Sequence, residues 1–285
     1  MVCKYDNKKR ADYLEELLVS GVSIGSFISK NMSSDEWYEA MLILSRRARE
    51  KKRLLSITDG IVRSIEPSLK KENDSNIIIG VGDAGLKVLN VLRTKGICED
   101  KLLAINADPD FPKRCSISNK ISISGGKVKF ISYREDGALI PLSWDGVHHG
   151  GTSFYRLLAL GYGKVIATKL NGIKEAIIAF GLGGATGTGV APIIAGIARS
   201  LGIKTMVFTH TPFSFEQIWG ERMRVAEEGR DFLQEIVGTL NVFAADDVKK
   251  DKSTTFRQAF KLLDELLAEK ILERKRNHLS QRVTS

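Results

Sequence analysis

Gly181–Pro192 reads GLGGATGTGVAP and follows directly on the apolar run Glu175–Phe180. Glycines let a backbone approach an anion closely, and successive N–H groups can then converge on the oxygens of a di- or triphosphate. Thr186 and Thr188 add hydroxyls among amides that nothing bulky shields. The residues that follow, Ala191 to Leu201, are apolar at helical spacing. The loop therefore stands at a helix N-terminus, where the dipole also favours negative charge. This is anion-binding architecture, although glycines after a strand also serve tight helix-to-strand packing.

Outward from this loop the chain alternates. Strands are expected at 77–81, 101–106, 175–180, 203–209 and 239–244, and a strand-like region at 116–132. Helices are expected at 84–95, 152–171, 190–201, 216–237 and from about 254 onward. Strands separated by helices of this length imply right-handed crossovers and an α/β fold with a doubly wound, mostly parallel, Rossmann-like sheet. Residues 1–75 differ. Their apolar positions recur at three and four (Tyr13, Leu17, Leu18; Trp37, Met41, Leu42, Leu44), with a helix start at Ser33–Glu36. They form a helical N-terminal extension, and the boundary to the second unit, 76–285, falls near residue 75, where the polar run Lys70–Asn76 gives way to Ile77, Ile78, Ile79 and Gly80.

With 285 residues and a hydrophobic share of 43%, the chain suits a folded domain with a sizeable core. No run of ~18 uncharged apolar residues offers a membrane span, and the charged N-terminus (Lys4, Asp6, Lys8, Lys9, Arg10) offers no signal core, so a cytoplasmic protein is expected. Cys3, Cys98 and Cys115 show no CxxC spacing and read as reduced thiols, with no metal site. The net charge of +9 is spread among acids, apart from clusters at Arg46–Arg53 and Arg274–Arg276 that read as solvated helix faces. Nucleic acid is not the expected partner.

In a doubly wound sheet, ligands lie beyond the carboxyl ends of the strands. Four further loops there carry chemistry. Gly80–Gly85 is a tight glycine turn whose Gly82, Asp83, Ala84 and Gly85 open a helix. Asn106, Ala107 and Asp108 offer short polar groups to a ligand or to their own turn. Gly146–Thr152 (GVHHGGT) brings Gly150 and Gly151 to a helix start, and its His148 and His149 lack the third ligand a metal would need. Thr209–Glu216 (THTPFSFE) holds Pro212 in a turn and Glu216 at a helix start, where it either contacts a ligand or caps the helix.

Taken in order, these loops resemble the nucleotide site of the tubulin and FtsZ superfamily, and its FtsZ branch in particular. GLGGATGTGVAP resembles the signature GGGTGTG followed by Ala-Pro; Pro212, Phe213, Phe215 and Glu216 resemble the PFxFE loop; Gly80–Gly85, Asn106–Asp108 and Gly146–Gly151 are similar to three further family loops. The resemblance covers roughly residues 76 to 272 and implies GTP or GDP, with Mg2+ as a companion ion. It implies that Gly183, Gly184, Ala185, Thr186, Gly187, Thr188 and Gly189 hold the α- and β-phosphates, with Gly150 and Gly151 nearer the γ-phosphate. Glu216 and Arg222 would lie on the ribose side. Phe260 and Asp264 would contact guanine, whose N1–H and exocyclic amine a carboxylate accepts together.

The chain also departs from the family. Asp83 stands where the family has glycine, Leu86 and Lys87 replace asparagines, His148 and His149 replace small residues, and Ala245–Asp246 replaces Asn-Asp. A carboxylate at Asp83 would repel phosphate unless magnesium or Lys87 offsets it. The sequence given stops at Ser285, before the acidic catalytic loop and second domain found in FtsZ. The expectation is thus a truncated cytoskeletal or cell-division paralogue with weak or partner-dependent hydrolysis, no assignable catalytic residue, and self-association or a full-length FtsZ-type partner. Two alternatives stand beside it. A Rossmann-type oxidoreductase would hold the ribose of NAD with Asp108, and a non-nucleotide scaffold would use the helical extension and basic clusters.

Overall fold

The computed structural model describes residues 7–20, 50–65, 75–108, 110–123, 131–133, 139–141, 151–219, 222–248 and 254–283. The helix start at Ser33–Glu36, the apolar set around Trp37 and the histidines His148 and His149 lie outside them. Six parallel strands form the main sheet: β1 (Ser75–Val81), β2 (Leu102–Asn106), β3 (Lys120–Ser122), β6 (Ile173–Gly181), β7 (Lys204–His210) and β8 (Thr239–Phe243). Their order is β3-β2-β1-β6-β7-β8. The chain winds outward from β1 in one direction and, after crossing over, from β6 in the other. The doubly wound fold expected from the alternation is the one found.

Strand alternation sends side chains to two separate cores. Ile77, Ile79, Val81, Leu103, Ile105, Ile178 and Phe180 face one layer, made by α7 (Ala185–Ser200), α5 (Gly151–Gly161), α6 (Gly163–Leu170) and α8 (Arg222–Ile236). Ile78, Leu102, Ala104, Ile177 and Ala179 face the other, made by α3 (Gly82–Thr94) and α9 (Phe256–Val283). Because helices cover both faces, the strands read as continuous apolar runs. Among the described residues, two helices precede β1: α1 (Asn7–Ser20) and α2 (Lys51–Arg63) join the first layer through Ala11, Leu14, Leu54, Ile57 and Ile61. There Ser200 of α7 donates to Asp59 at 2.5 Å, and the Thr58 methyl would lie 3.0 Å from a Cβ at Gly196.

Three differences from the sequence reading have local causes. The strand-like region 116–132 divides: β3 joins the sheet, whereas β4 (Ile131–Tyr133) pairs antiparallel with β5 (Leu139–Pro141) in a separate hairpin. The expected helix 152–171 breaks at Tyr162 between two glycines, and at Gly163 a Cβ would stand 2.5 Å from Ile61 Cδ1. The absence of a side chain lets α2 lie close. The expected helix 190–201 begins at Ala185 instead, inside the glycine run. Gly and Thr have low intrinsic helix propensity, but packing overrides so weak a preference. The remaining helix in the main body, α4 (Phe111–Arg114), is a single turn with Pro112 near its start.

Candidate functional site

The strand order reverses direction between β1 and β6, so the crevice beyond their carboxyl ends is the topological switch point. Both glycine loops meet there. Gly82 has φ +68°, which lets the chain turn from β1 into α3 without a connecting residue. A Cβ built on it would stand 3.5 Å from the Gly187 nitrogen and 3.6 Å from Thr186 Cβ. On the opposite loop Gly183 has φ +78°, and its Cα faces the Arg222 carbonyl and Pro212, with 2.7 and 2.8 Å to a built Cβ. Leu182 N–H donates to the His210 carbonyl at 3.0 Å and Thr209 Oγ1 to the Phe180 carbonyl at 2.8 Å, pinning this loop to β7.

The helix start decides which amides of this loop have an intrahelical partner. The N–H groups of a helix's first turn have no intrahelical acceptor. With Gly184 as N-cap, that set is Gly184, Ala185, Thr186 and Gly187, whereas Thr188 N–H already donates to the Gly184 carbonyl at 3.0 Å. Thr188 and Gly189 instead belong to packing: a Cβ at Gly189 would lie 2.5 Å from the Thr152 carbonyl, and one at Gly229 would lie 2.2 Å from Thr188 Cγ2. Thr188 Oγ1 is buried without a hydrogen-bond partner. Among the described residues, a Cβ on Gly184 would meet only the Gly181 carbonyl, at 3.8 Å.

Asp83 and Asp108 sit at the second edge of the crevice. The Asn106 side-chain amide donates to Asp83 at 2.9 Å, while Asn106 Oδ1 accepts from Ala107 N–H at 2.8 Å and, in an Asx turn, from Asp108 N–H at 3.3 Å. Arg114 bonds Asp108 and stands 3.8 Å from Asp83. Arg114 therefore offsets the charge of Asp83, a role the sequence offered to magnesium or Lys87. Nothing near Asp83 in sequence announced Arg114, which arrives through the turn after β2. Asp108 also accepts from Asp110 N–H at 2.8 Å, so its carboxylate is committed locally. Among the described residues no group of three or more His, Cys, Asp or Glu could hold a metal.

The Pro212–Glu216 turn closes the third side. Glu216 is 2% exposed; Oε2 accepts from Phe213 N–H at 2.9 Å and Oε1 pairs with Arg222 at 3.2 Å. The capping role weighed from the sequence is present, and of this pair Arg222 is the partly exposed member. Arg222 Nε is buried with no hydrogen-bond partner. His210, which the sequence reading did not single out, lies beneath the loop: a Cβ at Gly181 would stand 2.8 Å from its Nε2. Burial drives its pKa down to about 4, the Thr211 carbonyl opposes this, and Arg222 and Lys87 add to it. It is neutral at physiological pH and fills the floor. Tyr155, also missed, hydrogen-bonds Thr186, and burial raises its pKa.

At the far end, Phe260 and Asp264 lie one turn apart on α9 and share a face. Phe260 meets Phe213 edge-on at 5.0 Å, and Lys87 Nζ lies 5.7 Å from the Phe260 ring centroid. Burial lifts Asp264 to a pKa of about 7; nearby Lys87 opposes the rise and Glu265 adds to it. Of the two loop glycines assigned to the γ-phosphate side, Gly151 opens α5 with φ +51° and nothing near its Cα, and Gly150 lies outside the described residues.

The fold and the crevice define a doubly wound α/β domain with glycine turns at its switch point. Residues 153–251 match the Tubulin/FtsZ family, GTPase domain. Cell division protein FtsZ of Rickettsia felis is 30% identical over 193 residues, which is 67% of this chain and 39% of that protein. FtsZ of Rhizobium radiobacter is 43% identical over 105 residues, 36% of this chain and 18% of its own length. An empty FtsZ dimer from M. jannaschii superposes with a TM-score of 0.56 at 25% identity, covering 72% of this chain and 55% of that one. CetZ2 from Haloferax volcanii, in a GTPγS-bound protofilament, shares the fold with a TM-score of 0.52 at 17% identity, covering 69% and 57%. The chain belongs to the tubulin/FtsZ superfamily and carries an FtsZ-like GTPase domain. Its match spans about two-fifths of the length of the Rickettsia felis relative.

Proposed function

We propose that this protein binds GTP or GDP in the crevice between the β1 and β6 loops. The observation that supports this most is the set of first-turn amides from Gly184 to Gly187, which have no intrahelical acceptor, with the bare Gly82 turn of the neighbouring loop against Thr186 and Gly187. The α- and β-phosphates lie against these amides, where the helix dipole and unshielded donors act together. Gly151 borders the γ-phosphate, Arg222 with its partner Glu216 the ribose, and Phe260 with Asp264 the base. Asp83 and Asp108 hold Arg114 and make no ready-made metal site, so Mg2+ would arrive with the nucleotide, its charge offsetting the phosphates.

We place hydrolysis in an assembly where another subunit supplies the water-activating carboxylate. Residues 1–75 act as a helical extension to the nucleotide-binding unit 76–285. The setting is cytoplasmic, in division or cytoskeletal assembly; among the described residues no helix is long and apolar enough to cross a membrane. Extraction of the purified protein and chromatography of the released nucleotide tests the ligand: guanine nucleotide is expected, and NAD or nothing would overturn the reading. GTP turnover measured with and without full-length FtsZ tests the partner dependence.

The base edge gives this binding a pH dependence. A carboxylate accepts two hydrogen bonds from guanine only when ionised, and in the free protein Asp264 ionises at about 7 because of burial. Guanine binding stabilises the charged form and so draws that value down. GDP affinity is expected to rise with pH through about 7 and then level off, with proton release on binding near pH 6 that vanishes by about pH 8. Calorimetry in buffers of different ionisation enthalpy reads this directly. Uptake of protons, or a flat profile, would remove Asp264 from the base contact.

A further inference from the structure

Lys87 and Asp264 carry complementary chemistry at one end of the crevice and do not use it on each other. The half-buried Asp264 makes no hydrogen bond or ion pair with a described residue, and exposed Lys87 makes none either, its Nζ lying 5.7 Å from the Phe260 ring centroid. The two are nonetheless near enough for Lys87 to be the chief opposing influence on Asp264. Lys87 lies five residues beyond Gly82 on α3, Asp264 on α9, and the aromatic face of Phe260 lies beside both. A cation and a carboxyl held apart beside an aromatic ring match a flat ligand whose edge presents an acceptor next to donors.

We propose that Lys87 reads the 6-oxo group of a purine base in this site, leaving its resting place over Phe260 to donate to that oxygen while Asp264 accepts from the adjacent N–H groups. The inference rests on the guanine-nucleotide reading above and adds to it a residue that stands where related chains have asparagine. Lys87 is exposed, and an exposed cation–π contact is weak, so the move costs little. The gain is a charge-assisted hydrogen bond, stronger than one between neutral groups. Adenine meets the same pair with every polarity reversed: its 6-amino group faces an ammonium and its bare N1 faces a carboxylate. Sites built on such hydrogen bonds reject the mismatched analogue strongly.

The test is calorimetric titration of the full chain with GDP, IDP and ADP, for wild type, Lys87→Met, Lys87→Asn and Lys87→Arg. Lys87→Met keeps the stem and removes the donor at an exposed position, so folding is retained. It is expected to weaken GDP and IDP about tenfold or more, to narrow the GDP-to-ADP ratio, and to move the midpoint of the pH profile upward because Asp264 loses its cation. Lys87→Arg keeps the affinity and Lys87→Asn recovers part of it. If wild type binds GDP and Lys87→Met binds it equally well with an unchanged GDP-to-ADP ratio, the proposal is overturned while the nucleotide reading stands. If wild type binds no guanine nucleotide, both fall.

Discussion

Gly184→Val should abolish guanine-nucleotide binding and leave the fold intact. Gly184 has φ −83° and ψ 138°, a conformation any residue adopts and β-branched residues favour. A Cβ there meets no atom of the described residues beyond its chain neighbours closer than 3.8 Å, so the first carbon of the side chain is accommodated. The loss of glycine at an N-cap costs about 1 kcal/mol or less: neither glycine nor valine supplies a side-chain acceptor, and valine only hinders the access of water to the first-turn donors. Yet the isopropyl group would enter the space facing the amides of Ala185, Thr186 and Gly187, where the phosphates are placed. A phosphate moved away from several charge-assisted donors loses at least ~100-fold in affinity at typical strengths for such bonds. Thermal melts without ligand should match wild type, and GDP titrations should be flat. A variant that binds GDP normally would place the phosphates elsewhere.

Gly85→Ala should do the reverse and cost the protein its stability. A Cβ at Gly85 would lie 2.4 Å from the Ala179 carbonyl oxygen and 2.7 Å from the Gly80 carbonyl carbon. Both are backbone atoms of central strands, so neither can rotate away as a side-chain tip would. Relief requires α3 to lift from β1 and β6, opening the packing of Val88, Leu89 and Leu92 against Ile78. Overpacking of a rigid core costs about 1–3 kcal/mol and more where backbone must move. The upper end is expected here, read as a lowered urea midpoint. An unchanged midpoint would mean that α3 is not held as close to the sheet as described. The two glycines lie on neighbouring loops, yet one is glycine for what binds and the other for how the helix packs.

Much of this was legible in the sequence. Ile77–Ile79 and Ala176–Phe180 announced buried parallel strands because helices on both faces require apolar residues on both faces. The glycine loops marked the strand ends because few other residues make the turn at Gly82 or Gly183. What stayed hidden depends on contacts distant in sequence or on patterns too short to show a period. Three-residue β4 and β5 have no period to read. Arg114 reaches Asp83 across a gap of 31 positions through a one-turn helix that propensity alone would not place. The start of α7 was misplaced because Gly and Thr read as loop, while the donors of a helix's first turn need no helical partner. Glu216 offered two readings from the sequence; its contacts with Phe213 N–H and Arg222 show a capping bond and leave it beside the residue proposed for the ribose.

The most direct test of the central claim, that first-turn amides at the β6–α7 turn hold the phosphates of a guanine nucleotide, is calorimetric titration of nucleotide-free protein with GDP and with GTP, Mg2+ present. A single saturable binding event with each, absent in Gly184→Val, is the predicted result. No heat with either nucleotide, or equal binding by Gly184→Val, would contradict it.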